Sequence, residues 1–497
     1  MSNGAEKAKA QSIVREQEGE VDLLSKILEE GRMVQHESQA QQARDMIAEF
    51  VQQAMQGQVV MGRDLETSIQ ARIAEIDRLL SAQLNEIMHS EPYQRLEASW
   101  RGLHHLVFES ETSVMLKIRV LNVSKKDLLK DLERAAEFDQ SAVFKKVYEE
   151  EYGTFGGQPF GALIGDYYFS NHPQDQLLLE KMAQVAAAAN APFISAPAPQ
   201  LFGWESFQEM TEVRDLAKIF DRTEYAKWRS FRDSEDSRYV GLAMPRTLMR
   251  LPYGKETIPT ETFNFEEDVD GKEHNKYLWG NAAYSFGTRL TEAFAMYGWC
   301  VAIRGVEGGG LVQGLPVHTF QTDEGDVALK CPTEIAITDR REKELSDLGF
   351  LPLVHCKNTD YAAFFGGQSC QKAKKYDLDS ANANARLSTM LPHIFAVSRF
   401  AHYLKAMMRD KVGSFMSRKD CEFFLNQWIS NYVTPDDTAS QETKARYPLR
   451  EAKIEVAEIP GKPGAYRAVA FLRPHFQLDE LQVSLRLVAD LPTSARK

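Results

Sequence analysis

The sequence has no long apolar run and no apolar leader, and these absences narrow the class of protein. No stretch approaches 18 uninterrupted apolar residues. The first twenty residues, MSNGAEKAKAQSIVREQEGE, lack the apolar centre of a secretion signal. The sequence therefore predicts a cytoplasmic protein that is not inserted directly into a membrane, although it could dock on membrane machinery.

Cysteine is scarce and is not arranged in pairs. The five cysteines contain no C-x-x-C motif, which argues against a zinc cluster and against a disulfide framework. We expect buried, reduced thiols. The five are Cys300, Cys331, Cys356, Cys370 and Cys421.

The chain also has no excess of positively charged residues. The chain has 59 Lys and Arg against 71 Asp and Glu, a formal net charge of −12. A general nucleic-acid binder would carry the opposite balance, so that class of partner is not expected. With 497 residues, 43% of them hydrophobic, the chain is long enough for two or three domains with buried cores.

Helical patterns dominate the first part of the chain. EVDLLSKILEEG places Val21, Leu24, Ile27 and Leu28 on one stripe of a short helix that ends at Gly31. A longer apolar seam then needs a partner helix, in the same chain or in another. The seam comprises Leu65, Ile69, Ile73, Ile76, Leu80, Leu84 and Ile87.

Helices and strands alternate after this seam, so we predict a mixed α+β fold with several domains. A helix begins at Pro92, and Ser124 and Asp127 form the S-x-x-D pattern of a helix start. The predicted boundaries are a helical arm over 1–60, a mixed α/β part over 61–375 and a C-terminal part over 376–497. The predicted strands of the middle part are SVMLKIRVLNV, ALIGDYYF, PFISAPA, RYVGLAM, CVAIRG, TEIAIT and LPLVHC.

The C-terminal part is predicted to be helical first and β-rich afterwards. Two helical stretches, at 387–413 and 418–433, precede LREAKIEVAEI, a PGKPGA turn, YRAVAFLR and the late strand LQVSLRLVADL. A two-stranded hairpin is marginally stable alone, so this tract is expected to join a larger sheet.

The stretch EYGTFGGQPFGALIGDY at 151–167 raises the question of a phosphate-binding loop. A P-loop needs Lys and a hydroxyl after its last glycine, but Ala162 and Leu163 follow Gly161. The dinucleotide fingerprint needs a preceding strand, and here a helical pattern precedes. A tight turn is the favoured interpretation, and an enzyme with a phosphate-binding loop at 153–161 stays open as an alternative.

Other catalytic patterns are incomplete. Ser369 and Lys372 have S-x-x-K spacing without the accompanying motifs, and adjacent His104 and His105 cannot aim both rings at one metal from a helix. Asp166 could pair with Glu150 or Glu151 as an acid/base couple, but sequence gives no separation. We therefore predict no catalytic, cofactor or metal site, and favour an assembly subunit, with a non-contractile scaffold as a further alternative.

Several stretches together resemble the large subunit of the type VI secretion contractile sheath, the TssC/VipB family. They are SEPYQRLEASWRGL (90–103), EYGTFGGQPFGALIGDY (151–167), WRSFRDSEDSRYVGLAMPR (228–246), TEIAITDRREKELSDLGFLPL (333–353) and KNTDYAAFFGGQS (357–369), followed by the C-terminal tract. They occur in the expected order along nearly the whole chain.

The resemblance implies a phage-tail-sheath-like structural protein and not an enzyme. It implies a heterodimer with a small sheath subunit of the TssB/VipA type, helical self-assembly around an inner tube of the Hcp type, and seeding on a baseplate. It further implies disassembly by an AAA+ ATPase of the ClpV type, to which hydrolysis belongs.

Three interaction sites follow from the residues and the resemblance together. The stripe Val21, Leu24, Ile27 and Leu28 is the predicted ATPase-recognition helix. The segment 399–420 carries six cations and two carboxylates, and Arg399, Lys405, Arg409 and Lys411 are predicted to face the tube. The predicted intersubunit strands carry Val469, Phe471, Val483, Leu485 and Leu487.

Overall fold

The computed structural model describes residues 65–475 except 262, 323, 415, 437 and 461–465, together with Gln477 and isolated positions between 41 and 52. Contacts divide the chain into two compact units. One unit comprises residues up to Ile87 with Tyr253–Glu267, and the other comprises Met88–Pro252 with the residues from Asp268 onwards.

The described helices and strands alternate through most of the chain, and this confirms the predicted mixed α+β fold. The helices are α1 Leu65–Met88, α2 Glu91–Phe108, α3 Lys125–Arg134, α4 Ala142–Phe144, α5 Pro173–Ala189, α6 Ala217–Phe220, α7 Ala226–Asp233, α8 Ala282–Tyr297, α9 Asp339–Asp347, α10 Asp379–Ser388, α11 Leu391–Asp410, α12 Arg418–Ser430 and α13 Gln441–Arg446. The strands are β1 Leu163–Phe169, β2 Phe193–Pro197, β3 Val240–Met244, β4 Thr247–Leu248, β5 Trp279–Gly280, β6 Leu311–Val312, β7 Thr319–Gln321, β8 Val327–Leu329, β9 Leu351–His355, β10 Ala362–Phe364, β11 Leu449–Glu458 and β12 Tyr466–Pro474.

The first unit consists, in its described part, of most of α1 and the loop Tyr253–Glu267. The side chain of Asn85 donates to the carbonyl of Glu266, 3.4 Å away. Much of the predicted apolar seam stays exposed along α1, including Ile73, Ile76 and Ile87. The prediction of a helix is confirmed, and the pairing of its apolar seam with another helix stays a prediction.

A six-stranded sheet of order β1-β2-β3-β9-β10-β6 organises the second unit. β1, β2, β3 and β9 pair in parallel, and β10 pairs antiparallel with both β9 and β6. Helices connect parallel strands because such strands need a crossover, and α5 makes this connection between β1 and β2.

Alternating side chains of the central strands enter two separate cores. Val240, Leu242 and Met244 of β3 lie in a core with the buried aromatic rings Trp228 and Phe350. Ala243, between two of them in sequence, faces the other core, which contains α8 and the start of α11. Helices therefore cover both faces of the sheet, as expected for parallel strands.

A third core lies between α11, α12 and the hairpin formed by β11 and β12. Trp299 stacks on Phe400 of α11 with ring centroids 4.3 Å apart, and Ile454 of β11 is fully buried in this core. The amide of Asn426 on α12 accepts from the main-chain N–H of Ile454 and donates to its carbonyl. One side chain thus satisfies both main-chain groups of a strand residue.

Most predicted elements are confirmed, and three predicted strands are wrong. ALIGDYYF, PFISAPA, RYVGLAM and LPLVHC contain β1, β2, β3 and β9, and the two C-terminal helices and the hairpin are present. SVMLKIRVLNV, CVAIRG and TEIAIT form no strand. Their side chains alternate as in a strand, but apart from an isolated bridge at Thr333 they make no ladder with another described segment.

Candidate assembly surfaces

Helix α11 carries three of the four residues predicted to face a tube, and two of them contact the segment 148–154 of the same chain. The guanidinium of Arg409 donates to the carbonyls of Tyr152 and Thr154, at 2.7 and 2.6 Å. The ammonium of Lys405 donates to the hydroxyl of Tyr148 at 3.0 Å and lies 3.7 Å from the ring centroid of Tyr152. The two cations lie near the C-terminal end of the helical segment Lys145–Tyr152, where the helix dipole is partly negative and favours positive charge.

The other two predicted residues also lie against aromatic rings. The guanidinium of Arg399 is 4.9 Å from the ring centroid of Tyr403, and the ammonium of Lys411 is 4.7 Å from that of Phe424. All four cations are half-buried rather than extended into solvent. Whether they face a tube stays a prediction, and the structure adds that each has a partner ring or carbonyl in its own chain.

The glycine-rich loop forms a tight turn after a helix. Helix α4 continues as a π-helix over Lys145–Tyr152, and Gly156 then adopts a φ of +79°. A side chain on Gly157 would approach the carbonyl of Glu151 to 2.1 Å, so glycine is required there.

Three main-chain amides of this loop donate to acceptors within the same chain. Gly153 donates to Tyr148, Gly157 donates to Thr154, and Gln158 donates to the carboxylate of Glu151. Burial favours the neutral acid, but the hydrogen bond from Gln158 and the guanidinium of Arg119 hold the pKa of Glu151 below its usual value. The carboxylate of Glu151 thus already accepts from one N–H donor of the loop, and the geometry is that of a turn.

The carboxylate pair considered for acid/base chemistry has separate partners. Asp166 accepts from the hydroxyl of Ser99 at 2.5 Å. Burial raises the pKa of Tyr284, and so does its contact with Asp166. Glu151 pairs instead with Arg119. Each carboxylate therefore has structural neighbours of its own.

The remaining catalytic patterns have structural explanations. Ser369 is fully buried, whereas Lys372 is exposed, and the two do not lie on a helix. His104 stacks on Phe108 with centroids 4.0 Å apart. Burial lowers the pKa of His105. Among the described residues, no group of three or more His, Cys, Asp or Glu is arranged to hold a metal ion.

All five cysteines are free, and the expectation that they are buried holds only in part. Cys370 and Cys421 are buried, but Cys356 is exposed. Sequence reasoning missed a hydrogen-bonded pair of Cys331 with His355, whose Nε2 lies 2.8 Å from the carbonyl of Thr359. Although burial favours the thiol, the hydrogen bond with His355 holds the pKa of Cys331 below its usual value. Residues 24 positions apart on different elements give no sequence signal of this pairing.

The C-terminal hairpin has one covered face and one open face. β11 and β12 form a separate two-stranded sheet, with Glu455 opposite Val469 and Lys453 opposite Phe471. The side chains of Val469 and Phe471 are 42% and 55% exposed. The hairpin therefore packs on α12 by one face, and its predicted intersubunit residues lie on the other.

Two predicted sites fall outside the described residues. These are the ATPase-recognition stripe Val21, Leu24, Ile27 and Leu28, and the late strand with Val483, Leu485 and Leu487. Within the ranges that the structure describes, no helix is long and apolar enough to cross a membrane.

Comparison with known proteins places the chain in a defined class, that of tail sheath proteins. Residues 70–371 match the family described as EvpB/VC_A0108, tail sheath N-terminal domain, and residues 380–491 match the EvpB/VC_A0108, tail sheath gpW/gp25-like domain. The chain belongs to this VipB tail sheath family. It is 54% identical over 448 residues, 90% of both chains, to the type VI secretion system sheath protein TssC1 of Pseudomonas aeruginosa.

Two solved structures show weaker likeness. A chain of the anti-feeding prophage baseplate has a TM-score of 0.35 at 9% identity, covering 64% of this chain and 66% of that one. A chain of the contracted helical sheath of the anti-feeding prophage has a TM-score of 0.31 at 9% identity, covering 62% and 66%.

Proposed function

We propose that the chain is the large structural subunit of a type VI secretion contractile sheath. It forms a heterodimer with a small sheath subunit of the TssB/VipA type and polymerises helically around an inner tube of the Hcp type, starting from a baseplate. Contraction of the polymer then propels the tube. The match of both tail sheath families along one chain, with a TssC1 relative aligned over 90% of its length, carries this proposal.

In this function the chain works by changing subunit packing, with no covalent chemistry of its own. A sheath subunit moves as a rigid body between two packings. Three separate hydrophobic cores stabilise the fold of the subunit, which is what such a rigid-body movement requires. Hydrolysis belongs to an AAA+ ATPase of the ClpV type, which binds the helical arm at 1–60 through Val21, Leu24, Ile27 and Leu28. The protein works in the cytoplasm.

The mixed part over 61–375 and the C-terminal part over 376–497 are proposed to have different partners. The C-terminal part would hold the tube through the basic segment 399–420, because complementary charge fixes register and encounter. Arg418 and Lys419 are exposed at the start of α12. Lys405 and Arg409 hold α11 against the segment 148–154, so we assign them a positioning role beside any contact with the tube.

The C-terminal strands are proposed to connect neighbouring subunits. The hairpin is separate from the six-stranded sheet, and strand edges of this kind pair readily with another chain. Main-chain hydrogen bonds can hold subunits together while their orientation changes. Val469 and Phe471 on the open face, with Val483, Leu485 and Leu487 beyond, would supply the side chains of this joint.

Co-expression with the small sheath subunit, followed by electron microscopy, tests the function. Long hollow cylinders are the expected product. Closed rings or stable monomers would identify a non-contractile scaffold and overturn the proposal. Turnover of a phosphate-containing ligand, lost when Gly157 is replaced, would support an enzyme with a phosphate-binding loop at 153–161.

A further inference from the structure

Cys331 and His355 pair a nucleophile with a base, and the proposed sheath function uses neither of them. Cys331 lies two residues after β8, and His355 is the last residue of β9. Their side chains are hydrogen-bonded to each other. Both are half-buried, so each keeps part of its surface in contact with solvent. A thiol within hydrogen-bond reach of an imidazole is the usual arrangement of an activated cysteine.

The second nitrogen of the imidazole determines where the ring carries its proton. Nε2 of His355 lies 2.8 Å from the carbonyl oxygen of Thr359. Because a carbonyl can only accept, Nε2 carries the proton, and Nδ1 is left as the acceptor for the thiol of Cys331. Thr359 is itself fixed, since its N–H and its hydroxyl both donate to the carbonyl of Cys356. The Thr359 carbonyl therefore orients the base, as a third group does in catalytic triads.

Thr333 supplies further hydrogen bonds to the sulfur. Its hydroxyl oxygen lies 3.1 Å from Sγ of Cys331 and 2.9 Å from the carbonyl of Ile335, so the hydroxyl can donate to either. The main-chain N–H of Thr333 also donates to the sulfur. Burial favours the neutral thiol, but the hydrogen bonds from His355 and Thr333 hold the pKa of Cys331 below its usual value. Such donors stabilise a thiolate, which is the reactive form of cysteine.

Two other titratable side chains interact with this pair. The ammonium of Lys330, the residue before Cys331, attracts both the thiolate of Cys331 and the carboxylate of Asp270. On the other side, the thiol of Cys356 interacts with the ring of His355. A cation beside a sulfur favours the thiolate, so Lys330 acts in the same direction as the hydrogen bonds.

The other four cysteines have different surroundings. Burial raises the pKa of Cys300 and of Cys370 to about 12. Cys421 is buried. Cys356 is exposed, and its Sγ lies 3.5 Å from the hydroxyl of Tyr361. Cys356 is therefore a control within the same chain, because it is more open to solvent than Cys331 and its hydrogen bond goes to a phenol.

We propose that Cys331 is a modification site at which a hydroperoxide oxidises the thiol, with His355 as the base. Nδ1 of His355 takes the proton from the thiol, and the sulfur attacks one oxygen of the peroxide. An S–O bond forms while the O–O bond breaks, so the sulfur loses two electrons and the departing oxygen gains them. That oxygen takes the proton back from His355. Hydrogen peroxide would thus give a cysteine sulfenic acid and water.

Trapping of the sulfenic acid tests this site. The full-length chain is treated with hydrogen peroxide in the presence of dimedone, and the adduct on each cysteine is followed by peptide mass spectrometry. An ordinary thiol is about 3% ionised at pH 7, so complete ionisation would raise its rate at most about 30-fold. A stabilised thiolate is a weaker nucleophile, and burial limits access, so we expect Cys331 to react about tenfold faster than Cys356.

Two variants separate the base from simple exposure of the thiol. His355→Gln keeps a donor for the carbonyl of Thr359 but cannot take a proton, so the rate at Cys331 should fall about tenfold at pH 7. Cys356→Ser removes a neighbouring thiol that could condense with the sulfenic acid, and it should leave the rate at Cys331 unchanged. Circular dichroism checks that both variants keep the wild-type fold.

The pH profile of the wild type provides a test that needs no variant. A rate at Cys331 that levels off below pH 8 would support the inference, whereas a rate that still rises about tenfold per pH unit up to pH 8 would overturn it. The inference is also wrong if Cys331 reacts no faster than Cys356, or if a correctly folded His355→Gln variant reacts as fast as the wild type. None of these results bears on the sheath function, which is tested separately by electron microscopy.

Discussion

His402 should make the packing of α11 against the end of α5 sensitive to mild acid. It lies on α11, only 3% exposed, with Nε2 2.8 Å from the carbonyl of Ala189 and its ring against Tyr152. Burial lowers the pKa of His402 from 6.5 to about 4, and the nearby cations Arg399 and Lys405 act in the same direction. The neutral ring donates to the carbonyl, whereas a second proton would be buried next to positive charge.

The sign and size of the effect follow from this lowered pKa. Between pH 6.5 and 4 the unfolded chain takes up a proton that the folded chain excludes, so stability falls as the pH falls through this range. The full loss below pH 4 corresponds to about 3.4 kcal/mol, at about 1.36 kcal/mol for each pH unit. At pH 5 the loss relative to neutral pH is about 2 kcal/mol.

The variant His402→Gln keeps a donor for the carbonyl of Ala189 and does not titrate. Its free energy of unfolding should therefore exceed that of the wild type by about 2 kcal/mol more at pH 5 than at pH 7.5. Urea unfolding followed by tryptophan fluorescence measures this, because Trp204 and Trp228 lie in the core that contains Ala189. His104→Gln, at an exposed histidine, controls for the loss of a histidine elsewhere. Equal pH dependence in wild type and His402→Gln would refute the reasoning.

Three further predictions concern the proposed partners. Replacing Leu24 and Leu28 with Asp should abolish ATPase binding in a pull-down while sheaths still assemble, and unchanged ATPase affinity would contradict the recognition helix. Lys411→Glu should leave heterodimers intact but reduce assembly on tubes seen by electron microscopy, and a normal yield of tube-bound sheaths would count against the charge contact. Pro at Val483 and Leu485 should give heterodimers that do not polymerise, because ladder donors are lost. Full-length contractile sheaths from that variant would place the joint elsewhere.

Capping motifs and apolar periodicity in the sequence correctly predict several helices and where they begin. The Ser124 side chain accepts from the N–H of Asp127 at the start of α3, as its spacing predicted. α2 begins with Pro92 in its first turn, and the apolar seam of α1 forms a helix. Capping and periodicity act within a few residues, so a single sequence contains the information.

Predictions from the sequence fail or stay incomplete where the local structure depends on a segment far away in the chain. SVMLKIRVLNV alternates like a strand, yet a strand forms only where a second strand is available, and alternation cannot show that. The basic segment was identified from its charge, but the sequence could not reveal that Arg409 donates to carbonyls 255 and 257 positions earlier in the chain. The sequence predicts that the glycine loop is a turn. Only the folded structure shows that the loop is hydrogen-bonded to Arg409 of α11.

The position of α11 has a mechanical consequence. Its first residues, among them Leu391 and Phe395, lie in the core on one face of the six-stranded sheet, and Phe400 lies in the third core beside the hairpin. The helix has 20 residues and is therefore about 30 Å long. A force applied to the hairpin would be transmitted through the Asn426 amide to α12, and through the core that contains the stacked Trp299 and Phe400 rings to helix α11. The load would then reach the sheet as shear spread over many side-chain contacts, with no single bond bearing all of it.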